Sequence, residues 1–400
     1  MVKKTAPSKK AAPSKPSSSS KQSSKKPSAP PETSSPALQS EEQQQQQQRL
    51  LNIFSSAFNK VLTSDDFSRL LQEIKQALFN REFATAFGRE DYLEAYAARW
   101  SPTRALCYAG VFLGIKKHLE GIIFDRKETK DYIQATGEDT ISEANTAEST
   151  LENADDKSEE CGIDSIQSLK LDSTSTRRNA SIQMLSVGGC AAEHIAFASY
   201  LHATATDGHL TLLDSGPWAK VISLLESSIV NPPPISKYAS AALQAANCPL
   251  LEKDQLSLDV VQRDVLDLDM DSLSAKCANG KVPIILTLLF TLNELYTTAG
   301  IGKTTKFLKD LGQILASNSL ILVVDSPGSY SEAALGKEKK KYPMQWLLDH
   351  TLIESETPGY SWEKLQSDDS IWFRLPEGLS YPIPLENMRY QMHLYRLKKS

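Results

Sequence analysis

The stretch IQMLSVGGCAAE, Ile182 to Glu193, decides how this chain is read. Ile182 to Val187 is a short apolar run of the kind that forms a buried strand, Gly188 and Gly189 make a turn, and His194 to Ala203 continues as a buried helix. Strand, glycine turn and helix form the first unit of a doubly wound sheet, in which a ligand approaches backbone that no Cβ shields. The small residues Ala191 and Ala192 let the helix lie close to the strand. The next apolar run, Leu210 to Leu213, ends in Asp214. An acid at the end of the second strand is placed to bond ribose hydroxyls, which narrows the ligand to one bearing a nucleoside.

Working outward, strand-like runs recur at Leu256 to Val261 with Asp264 beyond, Pro283 to Leu289, and Leu320 to Val324 ending in Asp325. Trp372 to Leu375 and Met388 to Leu397 read as an antiparallel closing pair. The expected fold is α/β, a Rossmann-like, mostly parallel sheet with an antiparallel C-terminal strand. Its ligand crevice lies at the carboxyl ends of the strands, with Gly188, Asp214, Asp264, Asn293 and Asp325 expected to line it. The segment SVGGCAAE lacks the full GxGxxG spacing, so the glycines alone are a weak signal. Together with Asp214 and the terminal strand pair they favour a methyltransferase over an NAD enzyme without forcing the choice. Gly300, Gly302, Lys303 and Thr304 imitate the end of a P-loop, but the required first glycine would fall at Thr297 and the segment follows a helix.

The rest of the 400 residues divides by composition. Residues 1–48 are Lys, Ser, Pro and Ala followed by a Gln run, and read as a disordered tail with too few large apolar groups to offset the entropy of ordering. The lysines suit phosphate contact or a nuclear address. Residues 49–124 carry apolar positions at three- and four-residue spacings, a helical region. Residues 125–178 are an acidic flexible insert that supplies much of the net charge of -5, and 179–400 form the sheet domain. No apolar run reaches the length of a membrane span, and the scattered cysteines and histidines offer no metal-ligand spacing, so neither membrane nor metal is expected.

Five segments resemble a known family. They are YAARWSPTRALCYA (Tyr96 to Ala109), LSVGGCAAE (Leu185 to Glu193), TLLFTLNELY (Thr287 to Tyr296), LVVDSPGSYSE (Leu322 to Glu332) and LENMRYQMHLY (Leu385 to Tyr395). They are similar to fungal S-adenosylmethionine-dependent methyltransferases that include the large-subunit ribosomal RNA uridine-N3 methyltransferase. The resemblance implies a Rossmann-like class I methyltransferase fold, S-adenosylmethionine as cofactor and methyl transfer to N3 of a uridine in ribosomal RNA, free or in a pre-ribosome. With it go a monomeric state and a nuclear, nucleolar and cytoplasmic location. Gly188, Gly189, Cys190, Glu193, Asp214 and Asp264 are the expected cofactor contacts. Asn293, Glu294 and Asp325 are the candidates for holding the base or taking its proton, although capping and loop bonding would equally suit each of them. Arg99, Trp100, Arg104, Lys303, Lys306, Arg389 and Arg396 are the expected RNA contacts. Two other functions fit the sequence: a catalytically silent RNA-binding or assembly protein of the same fold, and a small-molecule methyltransferase.

Overall fold

The computed structural model describes residues 36–125 and 180–400, apart from 242–243, 245–246, 329, 336–337 and 356. The lysine-rich part of the tail and almost all of the acidic insert lie outside the described residues. The chain divides into units of residues 1–42 and 43–400, and the account below concerns the second.

Helix α1 (Pro36–Ala57) takes in the whole Gln run, so the expected tail ends earlier than residue 48. Gln is a good helix former. Leu50, Leu51, Ile53 and Phe54 at the end of that helix are buried and anchor it. Gln48 also donates to Ser380 O at 2.9 Å and accepts from Ser380 N at 2.8 Å, which ties the helix to a C-terminal loop. Helices α2 (Asn59–Leu62), α3 (Phe67–Phe79), α4 (Phe83–Phe87), α5 (Glu90–Arg99), α6 (Ser101–Gly114) and α7 (Lys116–Glu120) follow. Helix α3 shows the expected stripe, with Phe67, Leu70, Ile74 and Ala77 buried. Pro102 stands in the first turn of α6, where its missing N–H costs nothing.

The sheet elements are β1 (Phe124–Asp125), β2 (Ala180–Val187), α8 (Ala191–Thr204), β3 (Asp207–Asp214), α9 (Ala219–Val230), β4 (Leu256–Gln262), α10 (Met270–Lys276) and β5 (Ile285–Leu289). Next come α11 (Leu292–Thr298), α12 (Ile301–Ile314), β6 (Leu320–Asp325), the hairpin β7 (Tyr330–Leu335) and β8 (Glu338–Pro343), α13 (Met344–Asp349), β9 (Tyr360–Phe373) and β10 (Met388–Lys399). Strand order is β4-β3-β2-β5-β6-β10-β9, with β1 paired to the start of β2. Strands β2 to β6 are parallel and β10 is antiparallel to both β6 and β9. This is the mostly parallel, Rossmann-like sheet that the sequence suggests. Order reverses between β2 and β5, and at such a switch point a crevice opens beyond the carboxyl ends of the strands.

Both faces of the sheet are covered, and so the central strands are continuous apolar runs. Every residue of β6 is buried, with Leu320, Leu322 and Val324 in the core under the N-terminal helices and α8, and Ile321 and Val323 in the core against α12 and α13. Two features depart from the sequence reading. Strand β9 starts at Tyr360, well before Trp372, because its residues are mostly half-exposed and leave a weak apolar signal. The β7–β8 hairpin is also new; its sequence, rich in lysine and glutamate, carries little alternation.

Candidate functional site

Strand β2 delivers the chain to the switch point, and Gly188 N–H extends its ladder by donating to Leu213 O at 2.9 Å. Gly188 adopts φ +73°, in the left-handed region, and the space a Cβ would take is filled by the Thr291 side chain. Thr291 Oγ1 donates to Gly188 O at 3.0 Å, stitching this turn to the end of β5. A Cβ on Gly189 would meet the Glu193 carboxylate. The glycines therefore expose backbone and leave room for the acid in the first turn of α8. The first turn of α8, Ala191 to Glu193, lines the same space, and helix N-termini favour polar ligands.

Around this turn lies a cavity of about 540 Å³, within the roughly 300–1,000 Å³ of small-molecule sites. The ends of β2, β3, β4 and β5 form its floor, and Phe83 and Phe87 of α4 with Tyr96 and Arg104 close it from above. All six expected cofactor contacts line it: Gly188, Gly189, Cys190, Glu193, Asp214 and Asp264. Their chemistry differs. Cys190 is buried, and burial, with Asp214 and Glu193 adding, pushes its thiol well above the ordinary range, so it acts as a small apolar wall. Asp214 Oδ1 accepts from Gly216 N at 2.7 Å. Burial pushes the Asp214 carboxyl up to about 6, against the pull of Gly216 and the Trp218 indole. Asp264 Oδ1 accepts from Leu266 N at 2.9 Å and caps a short 3-10 turn. Burial likewise pushes Glu193 up to about 7, although its own amide and Arg104 pull it down.

Arg104 joins the N-terminal helices to the cavity, as a lid over a cofactor would. Named above among the RNA contacts, it is half-buried in the cavity wall. Its guanidinium carbon lies 4.7 Å from the centre of the Phe290 ring and 5.5 Å from that of Tyr96, whose hydroxyl accepts from Nη1. Burial opposes its charge, but the phenol oxygens of Tyr96 and Tyr108 and the Glu193 carboxyl hold the proton more tightly than usual. Phe290 has φ +62°, a strained conformation for a bulky side chain, just where β5 ends. The sequence offered no sign of Phe290 as a site residue, since a left-handed Phe leaves no compositional trace.

Of the three catalytic candidates, Glu294 lines the cavity, while Asn293 and Asp325 do not. Burial, then the acids Asp214, Asp325 and Asp264, push Glu294 up to about 7, with Arg104 partly offsetting them. Asp325 is buried; its Oδ2 accepts from Asn293 N at 3.1 Å and its Oδ1 from Ser326 N at 2.7 Å. It thus fixes the first turn of α11, from which Glu294 projects. Neither Asn293 nor Asp325 lines the cavity: the Asp325 carboxylate is turned to this internal junction, where Asn293 contributes its backbone amide.

The other RNA candidates scatter. Arg99 pairs with Glu386, and Trp100 is half-buried against Tyr96. Lys303 and Lys306 are exposed on α12, Lys306 paired to Asp310 at 2.6 Å. Arg389 is exposed at the start of β10, on the cavity edge of the sheet. Arg396 is at the opposite edge, level with Leu320, and lies against His118 and Glu363, so it is remote from the site. Among the described residues no cluster of His, Cys, Asp and Glu is arranged to hold a metal, and no helix is long and apolar enough to cross a membrane.

A glycine cradle, acids for hydroxyl and amine groups, an arginine for a carboxylate and an apolar, aromatic wall together fit a nucleoside carrying a charged amino-acid chain. Comparison with known proteins agrees. Over 333 residues the chain is 28% identical to the 25S rRNA (uridine(2843)-N(3))-methyltransferase of Saccharomyces cerevisiae, covering 81% of this chain and 76% of that one. Among solved structures, a SAM-dependent methyltransferase from Methanosarcina mazei is 8% identical, covers 55% of this chain and 93% of its own, and has a TM-score of 0.30. The N-methyltransferase NodS from Bradyrhizobium japonicum WM9, in complex with S-adenosyl-L-homocysteine, is 11% identical, covers 54% and 77%, and has a TM-score of 0.26. A family model with the description "Putative SAM-dependent methyltransferase" matches residues 54–396, nearly the whole described chain, and the protein belongs to that family of S-adenosylmethionine-dependent methyltransferases.

Proposed function

We propose that this methyltransferase acts on N3 of a uridine in large-subunit ribosomal RNA. Similarity to the yeast enzyme supports the substrate class. The observation that carries the chemistry is Glu294, a carboxyl pushed up to about 7 in the same cavity as the glycine turn. When bound, S-adenosylmethionine supplies an electrophilic methyl group on a sulfonium. Arg104 and Glu193 would hold the charged amino-acid end of that cofactor and Asp214 its ribose hydroxyls, while Phe83 and Phe87 exclude water. The N3 of uracil carries a proton that must leave as the nitrogen attacks. In this reading Glu294 accepts it, since a carboxylate whose proton affinity is matched to neutral pH does so more effectively than an ordinary one. N3 lies on the pairing edge, so the uridine enters unpaired or flipped from its helix.

The partner in this reading is ribosomal RNA, free or in a pre-ribosome, met by a monomer in the nucleus, nucleolus and cytoplasm. The lysine-rich start of the sequence supports that location. The test combines calorimetric titration of S-adenosylmethionine into wild type and Asp214→Ala with transfer of labelled methyl to large-subunit RNA followed by nucleoside analysis. Label in N3-methyluridine is expected. Label in another nucleoside, or on a small molecule without RNA, overturns the substrate. Wild type that fails to bind the cofactor overturns the enzyme and favours a silent assembly protein.

A further inference from the structure

Two exposed tryptophans stand outside the cavity: Trp346 is 43% exposed and Trp372 is 54% exposed. Strand alternation puts Trp372 on the face of the β9–β10 hairpin that α13 covers. Tyr390, Met392 and Leu394 enter the core under the N-terminal helices, so Arg389, Gln391 and His393 point to the other face. Trp372 is paired with Arg389, and Arg389 Nε donates to Ser370 Oγ at 2.7 Å. Further down that face, Ser367 Oγ lies 2.8 Å from His393 Nδ1 and accepts from Gln345 Nε2 of α13 at 3.3 Å. Trp346, one residue on from Gln345, is therefore carried by the same layer.

Trp372 is set up to stack on a further ring, whereas Trp346 is already stacked on both faces and offers its edge. The guanidinium carbons of Arg374 and Arg389 lie 5.5 and 5.8 Å from the Trp372 ring centre. Trp346 sits between Tyr342 and His350, with centroids 5.0 Å apart on each side and planes within 20° and 5°. Two of the nearby acids are turned aside or paired, while Asp369 is exposed in the bulge of β9 beside Ser370. Asp368 pairs with Met392 and so belongs to the opposite face, and Glu354 lies 2.7 Å from His350 Nδ1.

Position ties this surface to the cavity. Gln391 is in register with Asp325, the residue that fixes the turn bearing Glu294. Arg389 lies two residues beyond, about 7 Å along the strand, and Trp372 one strand farther out, about 5 Å. An indole left in water beside guanidiniums, as Trp372 is, is suited to stacking on an unpaired base while the cations meet phosphates.

We propose that this face is a track for single-stranded RNA, with one base on Trp372 beside Arg374 and Arg389 and the strand continuing along the exposed edge of the Tyr342, Trp346 and His350 ladder. The inference rests on the RNA reading above and names the surface that holds the nucleotides flanking the target. The test is the affinity of the full chain for an oligouridine of about 12 nucleotides, beside its affinity for S-adenosylhomocysteine. Trp372→Ala is expected to weaken RNA binding about tenfold, the fold-change that a lost stacking contact gives, and Trp346→Ala to weaken it further in the double variant. Trp372→Phe, which keeps a ring, retains most of the affinity, and S-adenosylhomocysteine binding is unchanged in all three. Wild-type RNA affinity in the double variant overturns the track while leaving the proposed activity intact. Failure of the wild type to bind any RNA overturns both.

Discussion

Arg104 of helix α6 stands over the ring of Phe290, 4.7 Å from its centre, so the helical region and the end of strand β5 meet across the cavity. The contact explains why residues 49–124 belong to the enzyme: they supply the charged roof of a site whose floor is the sheet.

If Arg104 holds the carboxylate of the cofactor, Arg104→Gln weakens binding of S-adenosylhomocysteine by about 10- to 100-fold, the worth of a hydrogen bond to a charged group. Arg104→Lys recovers little of it, because an ammonium lacks the planar fork. Calorimetry on the pair decides the point. Unchanged affinity in Arg104→Gln would return the residue to the RNA side.

Glu294, pushed up to about 7, must be ionised to accept a proton. The rate at subsaturating RNA therefore rises about tenfold per pH unit below 7 and levels off above it. Glu294→Gln removes this dependence and lowers kcat by roughly 100-fold or more, with cofactor affinity little changed. A flat profile in the wild type between pH 6 and 8 contradicts the assignment.

Glu193 and Glu294 rise to about 7 and Asp214 to about 6, all above their unfolded values. The folded chain thus binds protons more tightly than the unfolded one. Stability from these groups is fully present below the unfolded carboxylate range and is lost as pH climbs through 6 to 7. Each tenfold difference in proton affinity is worth about 1.4 kcal/mol. Urea unfolding of the cofactor-free protein should give a lower midpoint at pH 8 than at pH 5, and Glu294→Gln should narrow the gap.

Gly188 is held by two constraints, its left-handed φ of +73° and the Thr291 side chain where a Cβ would go. Gly188→Ala is expected to lose about 1–3 kcal/mol of stability and to bind cofactor weakly. Adding Thr291→Ser removes the methyl group and restores part of the stability but not all, since the backbone strain stays. Chemical denaturation of the single and double variants measures both parts.

What was readable in the sequence follows from burial. Strands β2, β3, β5 and β6 are covered on both faces and announce themselves as apolar runs, and Asp214 is found by its place at the end of one. Strand β9 is half-exposed and its first twelve residues went unread. Asp325 looked like a cavity acid because it also ends a strand, yet its oxygens are spent on the amides of Asn293 and Ser326. Arg104 and Arg396 carry the same charge in the sequence. Only the packing of α6 over the cavity and the antiparallel run of β10 place one in the roof and the other at the far edge.

The central claim is tested most directly by quantifying N3-methyluridine, by mass spectrometry of nucleosides, in large-subunit ribosomal RNA from cells lacking this protein. The account predicts loss of the nucleoside from one position, restored by the wild-type chain and not by Glu294→Gln. An unchanged amount of N3-methyluridine in the deletion would contradict it.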